Sequence, residues 1–454
     1  MVKLIFNIFA AAIFLIPKGS YSLPQFAMTL NETVKLAVDN SHSVKAKTSL
    51  SESQKERAKS VKSKLYPSLD VEASFSYLTN VGEIEPIPGN VIRLGDNYTY
   101  SVGPVLNWTV LDFGRISKSY KSLKALENAS KNDFDAEKRN TILKARVTYF
   151  KLELSAEQLK LVSDSLKLSQ SRYEDILNKY KAGGASKLDL LSAHQEVVDF
   201  KKSFKKAQSE LAGTVRELYA LIGFSQEADI SFPIDERVSD VLNLLDGEPS
   251  ITLKLDSIDN TLSNFNSLKM NPVVISEHPL VKSADFRKKS YLLLADSAKG
   301  GHYPLLNFQA KTSLDYPNTP KLEHYNQNRF SFFLTIPVFE WGKVTDEIKI
   351  QNFLSNAAFE QRLQIEIDLT SEWKQIEDKI INLKSRQKLN ENSVAETSEL
   401  SKLINKSYID GRSNHLEVER ANLRELGAKV ESARTNVELL VEMAKLLSLS
   451  NEEI

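Results

Sequence analysis

Two stretches decide how this sequence is read: YKAGGASKLDLL (Tyr180 to Leu191) and YIDGRSNHLEVE (Tyr408 to Glu419). Each interrupts what otherwise reads as one very long helix. Tyr408 follows Tyr180 by 228 positions, as Gly411 follows Gly183 and Glu417 follows Asp189. The chain makes the same reversal twice. Glycines at 183, 184 and 411 suit the positive φ of a tight helix-to-helix turn. Ser186 and Asn414 are candidate N-caps of the returning helices. Asp189 and Glu417 fall in the first turn, where an acid suits the helix dipole.

Outward from the reversals, the duplication covers most of the chain, and such self-similarity must be settled first. VLDFGR (Val110 to Arg115) is echoed by VFEWGK (Val338 to Lys343), again 228 positions on. YPSLDV (Tyr66 to Val71) matches YPLLNF (Tyr303 to Phe308), but Pro304 follows Pro67 by 237. The change of offset places a shorter inter-strand connection in the second copy. Each copy reads as an amphipathic helix (about Leu30 to Lys64; about Pro279 to Lys299), a Tyr-Pro break, two strands and a long helical hairpin. From Gly114 to Tyr180 is 66 residues, as from Gly342 to Tyr408. At about 1.5 Å per residue, each helix would run roughly 100 Å.

The strands alternate. Leu69, Val71, Ala73, Phe75 and Tyr77 share one face, with Ser68, Asp70, Glu72, Ser74 and Ser76 opposite. Tyr98, Tyr100, Val102, Pro104, Leu106, Trp108 and Val110 form the second apolar face. Leu306, Phe308, Ala310 and Thr312 form the third, and Phe330, Phe332, Leu334, Ile336 and Val338 the fourth. Period-two alternation over about ten residues fits a transmembrane β-strand with lipid on one side. A half-buried antiparallel sheet in a soluble protein alternates in the same way. Tyr77, Tyr98, Tyr100 and Trp108, near strand ends, sit where an aromatic girdle belongs. Pro104 lacks a ladder donor and is awkward in either setting.

The helices carry seams. Leu190, Ala193, Val197, Phe200, Phe204, Ala207, Leu211, Thr214, Leu218 and Leu221 keep 3-4 spacing, as do Leu423, Leu426, Val430, Ala433, Val437, Leu440, Ala444 and Leu447. The helix before the first reversal bears two tracks, Val147-Leu154-Leu161-Leu168 and Leu152-Leu159-Leu166-Tyr173, on nearly opposite sides. Neighbours on both sides suit a wall of helices; a helix buried in an ordinary bundle gives the same pattern.

Composition bounds the function. The 454 residues carry 59 basic and 59 acidic side chains, so no basic excess points to nucleic acid. Cysteine is absent, which suits an oxidising compartment. Lys3, the apolar run Leu4 to Ile16 broken by Asn7, and Ser20-Tyr21-Ser22 read as a secretory signal peptide over 1–22. About 13 apolar residues are too few for a membrane-spanning anchor. No nucleotide, hydrolase or metalloprotease motif occurs, and the six histidines show no metal-ligand spacing. His302 and His324 could meet across strands. Neither an enzyme nor a cofactor is expected. The divisions read as 1–22 signal, 23–223 first repeat, 224–271 polar, acid-rich linker, 272–448 second repeat and 449–454 tail.

Four strands cannot close a barrel, and an open edge in lipid leaves backbone groups unpaired at several kcal/mol each. Sister chains must complete it, and three would supply twelve strands. The doubled order, VLDFGR and VFEWGK, and the paired reversals resemble the TolC-like outer-membrane efflux proteins over about residues 28 to 448. That resemblance implies a mixed α and β fold, in which a homotrimer joins a 12-stranded barrel to an α-helical tunnel. It implies a passive duct from the Gram-negative outer membrane into the periplasm, serving tripartite efflux pumps or type I secretion. The implied partners are a periplasmic adaptor, an inner-membrane pump or ABC transporter, and outer-membrane lipid. Asn80 to Asn97 and Asp315 to Asn328 would be the outward loops. The two reversals would be periplasmic tips, with Ala182, Gly183, Gly184, Ser186, Leu188, Gly411, Ser413, Asn414 and neighbouring His415 meeting the adaptor. Glu417 matches an acidic position of the family's entrance; Arg420 stands where some members carry a second acid. Glu417, Arg420 and Arg412 are the expected gate, in which ion pairs could close the entrance. The alternative is a soluble periplasmic coiled-coil adaptor or scaffold.

Overall fold

The computed structural model describes residues 29–223, 255, 257–267, 274–319 and 321–450. The expected signal peptide, most of the linker and residues 451–454 of the tail lie outside the described residues.

Where one helix was expected from Leu30 to Lys64, two form: α1 (Leu30–Asn40) and α2 (His42–Ser63). Ser41 breaks the run because its hydroxyl accepts from the Val44 amide at 3.3 Å and caps α2. β1 (Ser68–Tyr77) follows, then β2 (Glu83–Ile87) and β3 (Asn90–Arg93), then β4 (Tyr98–Leu111). The stretch Asn80 to Asn97, expected as a loop, thus contains its own hairpin, turned at Gly89 with φ 87°. Helices α3 (Arg115–Lys181) and α4 (Lys187–Ile222) complete the first repeat. Within the linker lies α5 (Ile258–Ser267). The second repeat holds α6 (Pro279–Lys299), β5 (Leu305–Tyr316), β6 (Tyr325–Thr335), α7 (Lys343–Ile409) and α8 (His415–Leu449). The strands reach into the expected loop Asp315 to Asn328. The last strand stops at Thr335, so Ile336 and Val338 lie outside it. Pro337, which lacks a ladder donor, marks that end.

α3 and α7 have 67 residues each, as the equal spacing required. Both start from one device. Phe113 and Trp341 take φ 52°, and the glycines after them 85° and 82°. Asp112 holds the turn, accepting from the amides of Gly114 at 2.9 Å and Ile116 at 2.6 Å. Two consecutive left-handed residues are rare outside glycine, so side-chain and backbone bonds must stabilise them.

The four long strands form one antiparallel sheet in the order β1-β4-β5-β6, so the repeats join through β4 and β5. The register brings the alternating faces together. Val71 stands opposite Pro104, Trp108 opposite Phe308, and Phe308 opposite Phe332. The other face is polar and cross-linked: Lys311 reaches Glu72 at 3.4 Å, Thr109 donates to Asn307 at 3.0 Å, and Gln309 to Asn107 at 2.9 Å. Val105 is a fully buried apolar exception on that face. At Gly103 and Pro104 the β4–β5 pairing is skipped, resuming at Val105 opposite Lys311. Pro104 therefore sits where the ladder lacks a rung.

The chain divides into two units, Met1–Ala37, Ala145–Ser267 and Leu383–Val441 in one, and the sheet with the remaining segments in the other. The first unit's core joins Leu152, Leu159 and Leu166 of α3 to Val197, Phe200, Phe204, Ala207, Leu211 and Leu218 of α4. Tyr173 packs against it. On the other track of α3, Val147, Leu154 and Leu161 stay half-exposed and Leu168 is exposed. The second unit's core includes Val281, Leu369, Ile376 and Leu449. Along α7, Ile350, Phe353, Ile367, Ile381, Leu389 and Leu403 are exposed apolar residues.

Candidate functional site

The sheet offers no closed pore by itself. β1 and β6 are edge strands, and among the described residues the outer edge of each has no partner strand. Its apolar face carries Leu69, Val71, Phe75, Phe330 and Phe332, each at least two-thirds exposed in one chain. Such exposure suits lipid contact, and the cross-linked polar face suits a water-filled interior. Tyr77 and Tyr98 meet at one strand end with ring centroids 5.1 Å apart. Tyr100 stacks on Tyr316 at 5.3 Å, and its hydroxyl lies 2.8 Å from Nδ1 of His324. Trp108 lies at the other end and donates Nε1–H to the Leu65 carbonyl at 3.2 Å. From Tyr98 to Trp108 the strand rises roughly 34 Å along its own axis, enough for a tilted strand to cross an apolar band about 25 Å tall. His324 thus meets tyrosines, and not His302 as the sequence allowed.

Each reversal is built from the end of a helix and the start of the next. Gly183, φ 78°, donates to Tyr180 O at 3.0 Å, and Gly184 donates to Lys179 O at 2.8 Å. Gly411, φ 73°, donates to Tyr408 O at 3.0 Å, and Arg412 to Ser407 O at 2.8 Å. Both are Schellman closures, which need a left-handed residue only at the first position. Gly184 takes no positive φ, which corrects the expectation that both glycines would.

The caps then fix the acids. Ser186 Oγ accepts from the Asp189 amide at 3.0 Å, while Asp189 accepts from the Ser186 amide at 3.2 Å. At the second tip Asn414 Oδ1 accepts from the Glu417 amide at 2.9 Å, and Glu417 accepts from the Asn414 amide and the Ser413 hydroxyl. These are reciprocal capping boxes. Glu417 is held by its own turn, and among the described residues no ion pair joins it to Arg420. Arg412 lies 3.9 Å from Asp410. Ala182, Gly183, Gly184, Leu188, Gly411 and Asn414 are exposed, with Leu188 the most prominent apolar side chain at 74%. Ser186 is exposed as well, and Ser413 is half-buried. His415 is buried, so it does not belong to the exposed tip.

Its burial exposes what the sequence reading missed. Glu196 of α4 and His415 of α8 are both buried, with Nε2 of His415 3.4 Å from Oε2 of Glu196. Arg172 of α3 lies 3.8 Å from the other Glu196 oxygen and donates to Asn405 of α7 at 2.9 Å. Burial pushes the Arg172 guanidinium down, opposed by the charge of Glu196. Burial pushes the Glu419 carboxyl up, and Glu196 adds to that shift. Burial likewise raises the Tyr408 hydroxyl, with Asp189 contributing. One polar cluster therefore draws on all four helices behind the tips. Glu196 lies beside Val197 in the seam, where period alone cannot mark a charge as buried.

Comparison with known proteins agrees with this construction. A family model described as outer membrane efflux protein matches residues 33–224 and 273–452, one stretch per repeat. No curated protein matches the sequence. Among solved structures, CusC superposes with a TM-score of 0.73 at 16% identity, covering 93% of this chain and 92% of that one. A membrane protein of Pseudomonas aeruginosa gives 0.73 at 17%, covering 92% and 93%. The CmeC outer membrane channel of Campylobacter jejuni gives 0.73 at 15%, covering 94% and 87%. At these identities the likeness is one of fold.

Proposed function

The chain belongs to the outer membrane efflux protein family, and from that premise we propose how its own residues open and close the duct. It is a passive exit channel of the Gram-negative outer membrane that extends into the periplasm, and it is neither an enzyme nor a soluble scaffold. The family's channels are homotrimers that work with an adaptor and an inner-membrane pump. Three copies of the sheet supply the twelve strands that one chain lacks. The open edges of β1 and β6 carry this reading, because unpaired strand edges are not tolerated in hydrocarbon.

At the periplasmic end, Glu417 and Arg420, with Arg412 at the turn, form the entrance ring. The capping box holds the Glu417 carboxylate at a fixed place at the head of α8, so three copies would present three fixed acids with arginines one turn along. The tip residues Ala182, Gly183, Gly184, Ser186, Leu188, Gly411, Ser413 and Asn414 meet the periplasmic adaptor. An inner-membrane pump or ABC transporter supplies cargo and energy. Tyr77, Tyr98, Tyr100 and Trp108 seat the sheet at the lipid interfaces. The repeats span 23–223 and 272–448, joined by 224–271, after cleavage of 1–22.

Single-channel recording of Glu417→Ala and Arg420→Ala trimers in planar bilayers tests the entrance. Changed conductance or ion selectivity is expected in both, because each removes three charges from a narrow ring. Wild-type conductance and selectivity in both variants would remove these residues from the gate.

A further inference from the structure

The two repeats share one geometry, so the joint between them inside a chain is a template for the joint between chains. Counterparts lie 237 positions apart from α2 to β1, and 228 apart from β4 onward. The N-caps Ser41 and His278 keep the first offset, and the turn glycines Gly114 and Gly342 the second. Strand register repeats as well: Ser68 stands opposite Asn107, and their counterparts Leu305 and Thr335 stand opposite each other. Inside the chain the repeats meet through β4 on β5 and α3 on α6. The corresponding elements, β6 with α7 and β1 with α2, hold the two open edges of the sheet. We infer that β6 and α7 of one subunit receive β1 and α2 of the next in the register of the inner joint. That register sets Phe330 opposite Tyr77 of the partner subunit, Val338 opposite Leu69 of the partner subunit, and Trp341 against Tyr66 of the partner subunit. This inference rests on the trimeric reading and names the residues of its seam.

The carried-over register sets like on like. Trp108 opposite Phe308 becomes Ile336 opposite Val71 of the partner subunit. The whole apolar run from Phe330 to Val338 then meets the whole apolar run of a partner's β1. A slip by one residue would face both runs with polar side chains, and a slip by two would leave an apolar residue unmatched at each end. The end of β6 also follows. β4 runs on past Asn107, its last pair with β1, because Trp108, Thr109 and Leu111 pair with β5 alone. The counterparts Ile336, Pro337 and Phe339 would pair only with a partner's β1, and in one chain β6 stops at Thr335, its last pair with β5.

Below the sheet the same correspondence holds. Phe113 stacks on Tyr303 with ring centroids 4.9 Å apart, and the counterparts Trp341 and Tyr66 are 87% and 62% exposed. Lys118 lies 3.6 Å from Asp296; the counterparts, Asp346 and Lys59, exchange the charges and remain opposite in sign. In one chain each pairs along its own helix, with Lys349 and Glu56. Ser122 of α3 is buried and bonds Ser290 of α6, and Ala125 is buried one turn on. Their counterparts on α7, Ile350 and Phe353, are exposed apolar residues, the mark of an uncovered interaction face. The Asp133–Arg287 contact is not repeated, since its counterparts are Gln361 and Leu50. The seam also differs at Gly103 and Pro104, which correspond to Ser331 and Phe332. Ser331 has a Cβ that forbids the close approach of Gly103, and Phe332 has the amide that Pro104 lacks.

The chain has no cysteine, so introduced pairs report cleanly in the full-length trimer. Ser74→Cys with Phe333→Cys places two thiols directly opposite across the seam. Opposed Cα atoms lie about 4.5–5.5 Å apart, within disulfide reach, and residues two further along lie about 7–8 Å apart, beyond it. After oxidation and boiling, non-reducing SDS gels should show most of these subunits covalently linked, and Ser76→Cys with Phe333→Cys at most about a tenth as many. Trp341→Ala and Tyr66→Ala should each speed heat dissociation of the SDS-resistant trimer about three- to tenfold, and the double variant no more than either alone. Should the cysteine variants fail to assemble, the aromatic pair decides alone. Trimers that link through the Ser76 pair in preference, or through neither, would overturn the register, as would additive effects of the two alanines; the trimer itself would stand. A wild-type chain that forms no trimer would overturn both.

Discussion

Replacing Gly103 by alanine should damage the sheet at the joint between its two repeats. A Cβ at Gly103 would lie 1.9 Å from the Thr312 carbonyl oxygen, 2.7 Å from Ser313 Cα and 2.8 Å from Thr312 C, all main-chain atoms of β5. Ordinary contact begins near 3.4 Å. β4 and β5 would therefore have to separate by more than an ångström, against a normal strand spacing of about 4.8 Å. Each backbone group that loses its partner in hydrocarbon costs several kcal/mol, so a loss of about 4 kcal/mol or more is expected. Gly213 in α4 and Gly427 in α8 provide the contrast, since nothing lies within 4 Å of a Cβ at either. Alanine at those helical positions should stabilise by about 0.5–1 kcal/mol. Resistance of the trimer to dissociation by SDS on heating, and urea unfolding in detergent, would read all three variants. A Gly103→Ala trimer as resistant as wild type would refute the close strand approach.

Ser186→Ala removes the hydroxyl that accepts from the Asp189 amide and should cost about 1 kcal/mol, seen by urea unfolding; Ser186→Asp, which can still cap, should recover most of it. His278 gives a pH effect of definite sign. Burial, with the charge of Arg139 second, pulls its ring down to about 4 from 6.5. The folded state therefore holds it neutral. Its stabilisation is complete above the unfolded value and is lost as pH falls towards about 4. The thermal midpoint should drop across that window, and His278→Gln should flatten the drop.

Much of this fold is legible in the sequence because it repeats long-period features. Equal spacing from Gly114 to Tyr180 and from Gly342 to Tyr408 fixes two helices of equal length. Alternation at Leu69 to Tyr77 and at Tyr98 to Val110 assigns both faces of the sheet before any pairing is known. The reversals announce themselves through Gly183, Gly411, Ser186 and Asn414, whose chemistry is local. What stayed hidden depends on short-range competition or distant contact. Ser41 stops a helix with one hydroxyl. Glu83–Ile87 and Asn90–Arg93 pair inside a segment too polar to read as strand. Pro337 ends β6 although the alternation continues through Val338. Glu196 and His415 are neighbours only after two hairpins fold, so neither residue carries a local sign of the other.

A sealed duct requires a fixed number of chains around the pore. Native mass spectrometry of the mature protein, extracted in detergent from outer membranes, measures that number directly. Three copies in one SDS-resistant particle are predicted; a monomer that stays in solution without detergent would contradict the duct.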